Sequence, residues 1–449
     1  MSTALIILAA GKGTRMNSDL PKVLHPIAHA SMLEHAMAAG RALDPERNVV
    51  VAGHEAELVR AAVAEIDETA QVVLQEEQLG TGHAVQQARE ALQGFVGDVV
   101  VLYGDTPFVS QDTLERMVSA RSRADLVILG FEAADPARYG RLVMDGDSLE
   151  KIVEYKDATD AERAITFCNS GLMACDADVI FRLLDKVGND NASGEYYLTD
   201  LVELARDEGL AVTAVSCPED ETLGVNSRND LATADAVFQS RARAELLDLG
   251  VTLMAPETVY LAFDTIVGRD TVIEPNVVFG PGVTVESGAL IRAFSHLEGC
   301  HVSRGAKVGP SARLRPGAEL AEDTHVGNFV EIKNAEIAAG AKVNHLSYIG
   351  DASVGEATNI GAGTITCNYD GVMKHRTEIG ARAFIGSNTC LVAPVKVGND
   401  AMTATGTVIT KNVEDGDLAI ARAVQTNKPG RARKLMDMLR AKKAAKVKG

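Results

Sequence analysis

Two hydrophobic rhythms divide the chain. In the first half, short apolar runs without polar alternation recur at Leu5-Ile6-Ile7, Val49-Val50-Val51, residues 72–74 and residues 99–103. Such runs are strands buried on both faces, as in a parallel sheet. Helical stretches separate them. Ser31-Met32-Leu33-Glu34 has the form of a capping box and opens a helix to about Ala42. Further helices are expected near residues 55–64 and from His83 to about Leu92. This alternation predicts a mostly parallel sheet with helices on both faces. Residues 139–156 then read as a hairpin turning at Asp145-Gly146. Phe167 to Gly171 reads as a strand end rich in small polar groups. A helix begins in 194–200, and a long one follows Arg228 to about Leu249.

From Val267 the period becomes six. Val267, Ile273, Phe279, Val285, Ile291 and Leu297 are followed, after a five-residue step, by Val302, Val308, Leu314, Leu320, Val326 and Ile332. Ile337, Val343, Ile349, Val354, Ile360, Ile379, Ile385, Leu391 and Val397 continue the pattern. A six-residue period is neither helical nor alternating; it marks a parallel β-helix of hexapeptides. Three hexads close a triangular coil, each turning its apolar residue into a shared core. Such coils often wind left-handed, against the usual crossover rule. The gap between Ile360 and Ile379 holds Cys367 to His375, a loop expected to bulge out and line a binding face. The expected organisation is an α/β, Rossmann-like domain over 1–228, a linker helix over 229–250, and a left-handed parallel β-helix with a tail over 251–449.

Composition narrows the function. The formal net charge of −18 over 449 residues disfavours a nucleic-acid partner. Small phosphorylated substrates stay open, because they need only local positive charge. Residues 431–448 are basic and Ala-rich. They read as a solvated, partly helical end, with a nucleic-acid or membrane arm as the sharper alternative. Six scattered cysteines without a C-x-x-C pair suit reduced thiols in the cytoplasm. Residues 1–10 lack a positive n-region and run straight into a glycine turn, so they read as a strand and not as a signal peptide. No stretch is long enough to span a bilayer.

Leu8-Ala9-Ala10-Gly11-Lys12-Gly13-Thr14-Arg15-Met16 follows the first strand. Its glycines allow a sharp turn whose bare amides suit phosphate oxygens. Lys12, Arg15 and the nearby Lys22 add cations. The Walker spacing is not met, and Met16 stands where the dinucleotide fingerprint needs a third glycine. A phosphate loop and an ordinary strand-to-helix turn both fit. Asp105, at the carboxyl end of a strand, suits either a turn or a Mg²⁺ ligand. Glu154, Asn169 and Asn226 are individually ordinary loop residues. His345 alone reads as readily as an inward structural histidine as it does as a general base.

Leu8 to Met16, Gln78 to His83 and Tyr103 to Asp105 resemble sugar-1-phosphate nucleotidylyltransferases. Arg313 to Ala318, Asn344 to Tyr348 and Asn359 to Gly371 resemble the bacterial bifunctional N-acetylglucosamine-1-phosphate uridylyltransferase and glucosamine-1-phosphate N-acetyltransferase family, over nearly the whole chain up to about Thr426. The resemblance implies acetylation of glucosamine 1-phosphate by acetyl-CoA in the coil, then joining of the product to UMP from UTP in the α/β domain. It implies UTP contacts at Leu8, Ala9, Ala10, Gly11, Lys22, Gln75, Gly80, Thr81, Tyr103, Gly104 and Asp105. Arg15 meets the leaving phosphates, and Arg15 and Lys22 are catalytic. Gly140, Glu154 and Asn169 contact the sugar, and Asp105 and Asn226 hold Mg²⁺. In the coil His345 is the base. Arg315, Lys333, Tyr348 and Asn359 bind the acceptor, with Asn368 and Tyr369 completing that site beside the acetyl-CoA. Ala362, Ser387, Thr405 and Arg422 line the CoA channel, Thr405 standing where the family often carries Ala. A homotrimer without nucleic-acid or membrane partners is implied. The alternatives are a monofunctional nucleotidylyltransferase with a structural or regulatory coil, and a non-enzymatic scaffold.

Overall fold

Every position of β1 (Thr3–Ala9) is buried, because the strand runs between two parallel neighbours with apolar side chains on both faces. Ala4, Ile6 and Leu8 enter one core; Leu5, Ile7 and Ala9 enter the other. In the computed structural model, which describes residues 2–137, 139–191 and 193–447, β1 centres a sheet with β2 (Arg47–Ala52), β3 (Gln71–Leu74), β4 (Asp98–Tyr103), β5 (Leu126–Glu132), β6 (Arg141–Asp145), β7 (Ser148–Val153), β8 (Phe167–Asp176) and β9 (Val212–Cys217). The order is β9-β5-β8-β4-β1-β2-β3, with the hairpin β6/β7 attached to β8. The pairs are parallel except those of β8 with β4 and β5 and those of the hairpin, which are antiparallel. The expected strand end at Phe167 is thus the start of a ten-residue strand, bulged between Asn169 and Met173.

The flanking helices differ from expectation in two places. The helix after Gly80 covers only Thr81–Gln86 and does not reach Leu92. The bonds Ala88 N to Val85 O and Arg89 N to Gln86 O tighten the chain into turns that bury Ala88 and Leu92. At the expected capping box, Ser31 Oγ accepts from Glu34 N at 3.1 Å, and no return bond from the Glu34 side chain is among the described bonds. The chain divides into two compact units, Met1–Glu245 with Leu261–Phe263, and Leu246–Tyr260 with Asp264–Gly449. The helix Arg228–Asp248, expected as a linker, therefore belongs mostly to the first unit. Its Ala234 is buried with Ile27, Met32 and Phe108.

The second unit is a β-helix of short parallel strands. One face is a ladder of ten strands from Thr252–Leu253 to Leu418–Ala419. Ile273, Ile291, Val308, Val326, Val343, Ile360 and Ile385 pair in register down its inner side. All the six-period residues from Val267 to Val397 are buried. Two inner places are filled by threonine, Thr366 and Thr403, each fully enclosed. The Thr366 hydroxyl donates to Gly350 O at 3.0 Å and accepts from Gly350 N at 2.8 Å, which removes the cost of burying it. Cys367, expected in the loop, stays in the coil and pairs with Val392; residues 368–376 leave it, and Val372, Met373 and Tyr369 are exposed on the loop. No described helix is long and apolar enough to cross a membrane.

Because the coil core is one continuous column, Ile332→Ala should destabilise the second unit by about 2–5 kcal/mol, the usual range for a truncated core isoleucine. A denaturant titration followed by circular dichroism in the strand region checks this.

Candidate active sites

The carboxyl ends of β1 to β4 lie side by side, with Ala9 beside Ala52, Ala52 beside Leu74 and Leu8 beside Tyr103. The loops leaving them enclose a cavity of about 330 Å³. Its lining includes Leu8, Ala10, Gly11, Lys22, Gln75, Gly80, Thr81, Tyr103 and Asp105, nine of the expected nucleotide residues. Ala9 turns into the core beneath the sheet, and Gly104 packs against Val23. Gly13 has φ 58°, and a Cβ there would lie 2.5 Å from Lys22 Cβ. Gly80 has φ 111° and presses against the Tyr196 carbonyl. Both positions need glycine. Gln75 is buried and donates to Gly80 O at 3.1 Å, while Gln78 donates to Ala10 O at 2.7 Å.

Lys22 is the centre of this cluster. Its Nζ forms an ion pair with Asp105 and donates to Asn226 Oδ1 at 3.1 Å. One carboxylate and one amide oxygen therefore converge on a single positive charge. That donor set fits a hard divalent cation that takes its other oxygens from substrate phosphate and water. Arg15 and Lys12 are exposed, with no ion-pair partner among the described residues. Burial pushes the Tyr103 hydroxyl well above the usual tyrosine range, with the Asp105 charge adding to it.

The expected sugar residues form a second group. Asn169 N donates to Gly140 O at 2.8 Å, and a Cβ on Gly140 would lie 3.3 Å from Glu154 Oε1. Asn169 Oδ1 accepts from Gly171 N at 3.0 Å, and Gly171 packs on the Tyr103 ring. Burial first, and Asp157 second, raise the Glu154 carboxyl, while Arg141 opposes them.

In the second unit His345 is exposed and faces outward, so it is not an inward structural histidine. Its Nδ1 meets Asn328 Oδ1 at 2.7 Å, which as acceptor fixes Nδ1 as the protonated nitrogen and leaves Nε2 free to accept. The carbonyls of His345, Ala362 and Ser387 accept from the amides of Gly363, Asn388 and Gly406 at 3.1, 2.7 and 2.8 Å. His345, Ala362, Ser387 and Thr405 thus stand in one column along a corner of the coil. Arg422 closes the column by donating to the Thr405 carbonyl, a backbone contact that an Ala at 405 would preserve.

Arg315 pairs with Glu331 at 2.8 Å, and Lys333 with Asp351 at 3.5 Å. Asp351 also accepts from Asn334 at 2.6 Å and from Asn368, whose amide lies 3.5 Å from the Tyr348 hydroxyl. Burial would raise the Asp351 carboxyl, but the two asparagine bonds and the Lys333 charge outweigh it and hold it below the usual range. Lys374, from the inserted loop, comes against Lys333, whose hydrogen bond and charge hold it below the usual lysine range. Asn359 sits on the ten-strand face between Lys342 and Phe384. Tyr369 is exposed, its hydroxyl on Gly371 O at 2.6 Å. Sequence reasoning missed Asn328, Asp351 and Lys374 as site residues, and Gln78 and Glu195 in the first cavity. The signal for Asn328 and Asp351 was the coil length: Asn328 and His345 are 17 residues apart, Lys333 and Asp351 18, and Asp351 and Asn368 17.

Residues 5–168 match the MobA-like NTP transferase domain, and residues 264–299 match the bacterial transferase hexapeptide (six repeats). Full-length relatives are similar throughout. The bifunctional protein GlmU of Ruegeria sp. (strain TM1040) is 88% identical over 100% of both chains. That of Ruegeria pomeroyi is 78% identical, again over 100% of both, and that of Dinoroseobacter shibae is 67% identical over 99% of both.

Gly13→Ala places a methyl group against Lys22 and a side chain at positive φ. It should cost about 1–2 kcal/mol of stability in the first unit and weaken nucleoside triphosphate binding by about tenfold. A thermal melt and a calorimetric titration check the two effects.

Proposed function

The chain belongs to the family of the bifunctional protein GlmU, and from that premise we propose how its two sites divide the work. It is a bifunctional enzyme, both an acetyltransferase and a uridylyltransferase. The reading with a merely structural coil is not favoured. The observation that carries the assignment of residues is that each cluster gathers within one unit. Lys22, Asp105, Asn226 and the glycine loop lie in the first; His345, Asn328, Lys333 and Asp351 lie in the second.

In the coil, Lys374 lies within electrostatic reach of both Lys333 and Arg315, and these three cations hold the phosphate of glucosamine 1-phosphate. Tyr348, Asn359, Asn368 and Tyr369 border its sugar. The substrate's ammonium cannot attack a thioester until it loses a proton. His345 Nε2 takes that proton, while Asn328 keeps the ring in the accepting tautomer. The freed amine attacks the acetyl carbonyl, the C–S bond breaks, and the leaving CoA thiolate takes the second proton that the nitrogen sheds as the amide forms. Acetyl-CoA lies along the corner column of Ala362, Ser387, Thr405 and Arg422.

In the first unit the N-acetylglucosamine 1-phosphate oxygen attacks the α-phosphorus of UTP, and the bond to pyrophosphate breaks. Gln75, Gly80 and Thr81 border the uridine, and Leu8, Ala10 and Gly11 the triphosphate. Lys22 and Arg15 offset the charge on the leaving pyrophosphate. Gly140, Glu154 and Asn169 fix the sugar. Asp105 and Asn226 would hold Mg²⁺, which when bound supplies further charge neutralisation to the triphosphate. Six free cysteines fit a reducing compartment, and we place the enzyme in the cytoplasm.

A homotrimer is supported by one corner of the coil. Phe294, Phe329 and Leu346 are 67%, 61% and 63% exposed there, and all three have positive φ. Bulky residues in that conformation cost about 1–2 kcal/mol each, and water does not reward an exposed phenyl ring. A second copy covering them does, and three copies close a ring around one axis.

Asp105→Ala should abolish uridylyl transfer and leave acetylation intact. His345→Ala should lower acetyl transfer by about two to four orders of magnitude with uridylyl transfer unchanged. Measuring CoA and pyrophosphate release on both variants checks the division; loss of both activities in either folded variant contradicts it. Leu346→Asp should yield monomers in sedimentation velocity and little acetyl transfer, and a monomer with full acetyltransferase activity would sink the trimer reading.

A further inference from the structure

Arg141 is the largest fully buried side chain among the described residues, 2% exposed. Its Nη1 donates to Pro136 O at 3.2 Å and to Tyr139 O, and its Nη2 to Ala137 O at 3.2 Å and to Arg163 O at 3.5 Å. Its Nε is buried with no partner among the described residues. The guanidinium lies 5.6 Å from the centre of the Tyr155 ring. No carboxylate forms an ion pair with it among the described residues. A desolvated charge answered only by carbonyls is a poor stabiliser, and apolar packing would serve the core better.

The bonds explain its presence. Three of the carbonyls belong to residues just ahead of Gly140, and the fourth to the end of the short helix Asp160–Arg163 that follows β7. A planar fork sets these segments in one arrangement, which a flexible ammonium does not. The position they fix is that of Gly140, held between the Asn169 amide and the Glu154 carboxylate.

We propose that Arg141 is a positioning residue of the sugar-phosphate subsite, holding the backbone that presents Gly140, Glu154 and Asn169 to the hexose. This rests on the reading of those three residues as the sugar site. The same positive charge opposes the burial that raises the Glu154 carboxyl, favouring the ionised form that accepts hydrogen bonds from sugar hydroxyls.

The test is steady-state uridylyl transfer by the full chain with Arg141→Lys and Arg141→Met. Both should raise KM for N-acetylglucosamine 1-phosphate by about tenfold or more while KM for UTP stays within about twofold. A purely structural role would lower the melting temperature and leave KM for the sugar phosphate unchanged. That result, or an equal rise in both KM values, overturns the proposal. Glu154→Gln is run in parallel. If it leaves KM for the sugar phosphate unchanged, the sugar-site reading itself fails, and the proposal with it. If it raises that KM while the Arg141 variants do not, only the proposal fails. Should the Arg141 variants not fold, shown by loss of UTP binding, Tyr155→Leu decides. That change removes the ring over the guanidinium from a half-exposed position. A rise of about threefold in KM for the sugar phosphate supports the proposal, and no rise overturns it.

Discussion

A coil of hexapeptides has room inside for one bulky apolar side chain per hexad, with a smaller residue buried two places before it, as Ala341 precedes Val343. That constraint fixes the direction of every other residue in the second unit. With Val326, Val343 and Ile360 locked inward and in register, the residues beside them point out and stack on those one coil away. His345 rests on Asn328, and Ala362, Ser387 and Thr405 follow it down one corner. Lys333, Asp351 and Asn368 meet by the same rule from three successive coils. The site is therefore a by-product of core packing. Its precision comes from the rigidity of a close-packed interior, with polar residues added along lines the core has already drawn. The insertion at 368–376 departs from this rule, and it brings Lys374 against Lys333.

The first unit meets a related constraint differently. Strands buried on both faces leave no polar position along their length, so chemistry is confined to their ends. Residues far apart in sequence must meet there, and Lys22 joins two of them, Asp105 and Asn226. Gly13 lets Lys22 pack against the loop it serves. Each partner alone would be a common loop residue. Together they form a partly enclosed arrangement of opposite charges.

Much of this was legible in the sequence because it depends on side-chain size and period. The apolar runs gave the doubly buried strands, and the six-residue period gave the coil and its inward residues. The glycine loop and Asp105 stood at strand ends where ligands bind. The resemblance supplied the partners that lie far apart in sequence. What escaped reading depended on lateral neighbours or on satisfied exceptions. Asn328 and Asp351 become visible only when the coil length is added to His345 and Asn368. Thr366 and Thr403 fill core places because their hydroxyls find partners across the coil. Nothing in the sequence marks Arg141 as buried, and only the carbonyls folded over it make its burial tolerable. The helix from Gly80 ends early because the turns after it bury Ala88 and Leu92, a tertiary preference that overrides helical propensity.

The chain carries two activities that act in sequence on a sugar phosphate. The most direct measurement supplies the purified protein with glucosamine 1-phosphate, acetyl-CoA, UTP and Mg²⁺, and follows CoA thiol and pyrophosphate together. The account predicts that both are released and UDP-N-acetylglucosamine forms. Withholding acetyl-CoA should stop pyrophosphate release until N-acetylglucosamine 1-phosphate is added, while withholding UTP should leave CoA release intact. Pyrophosphate release without any CoA release would contradict it and leave the coil as a structural appendage.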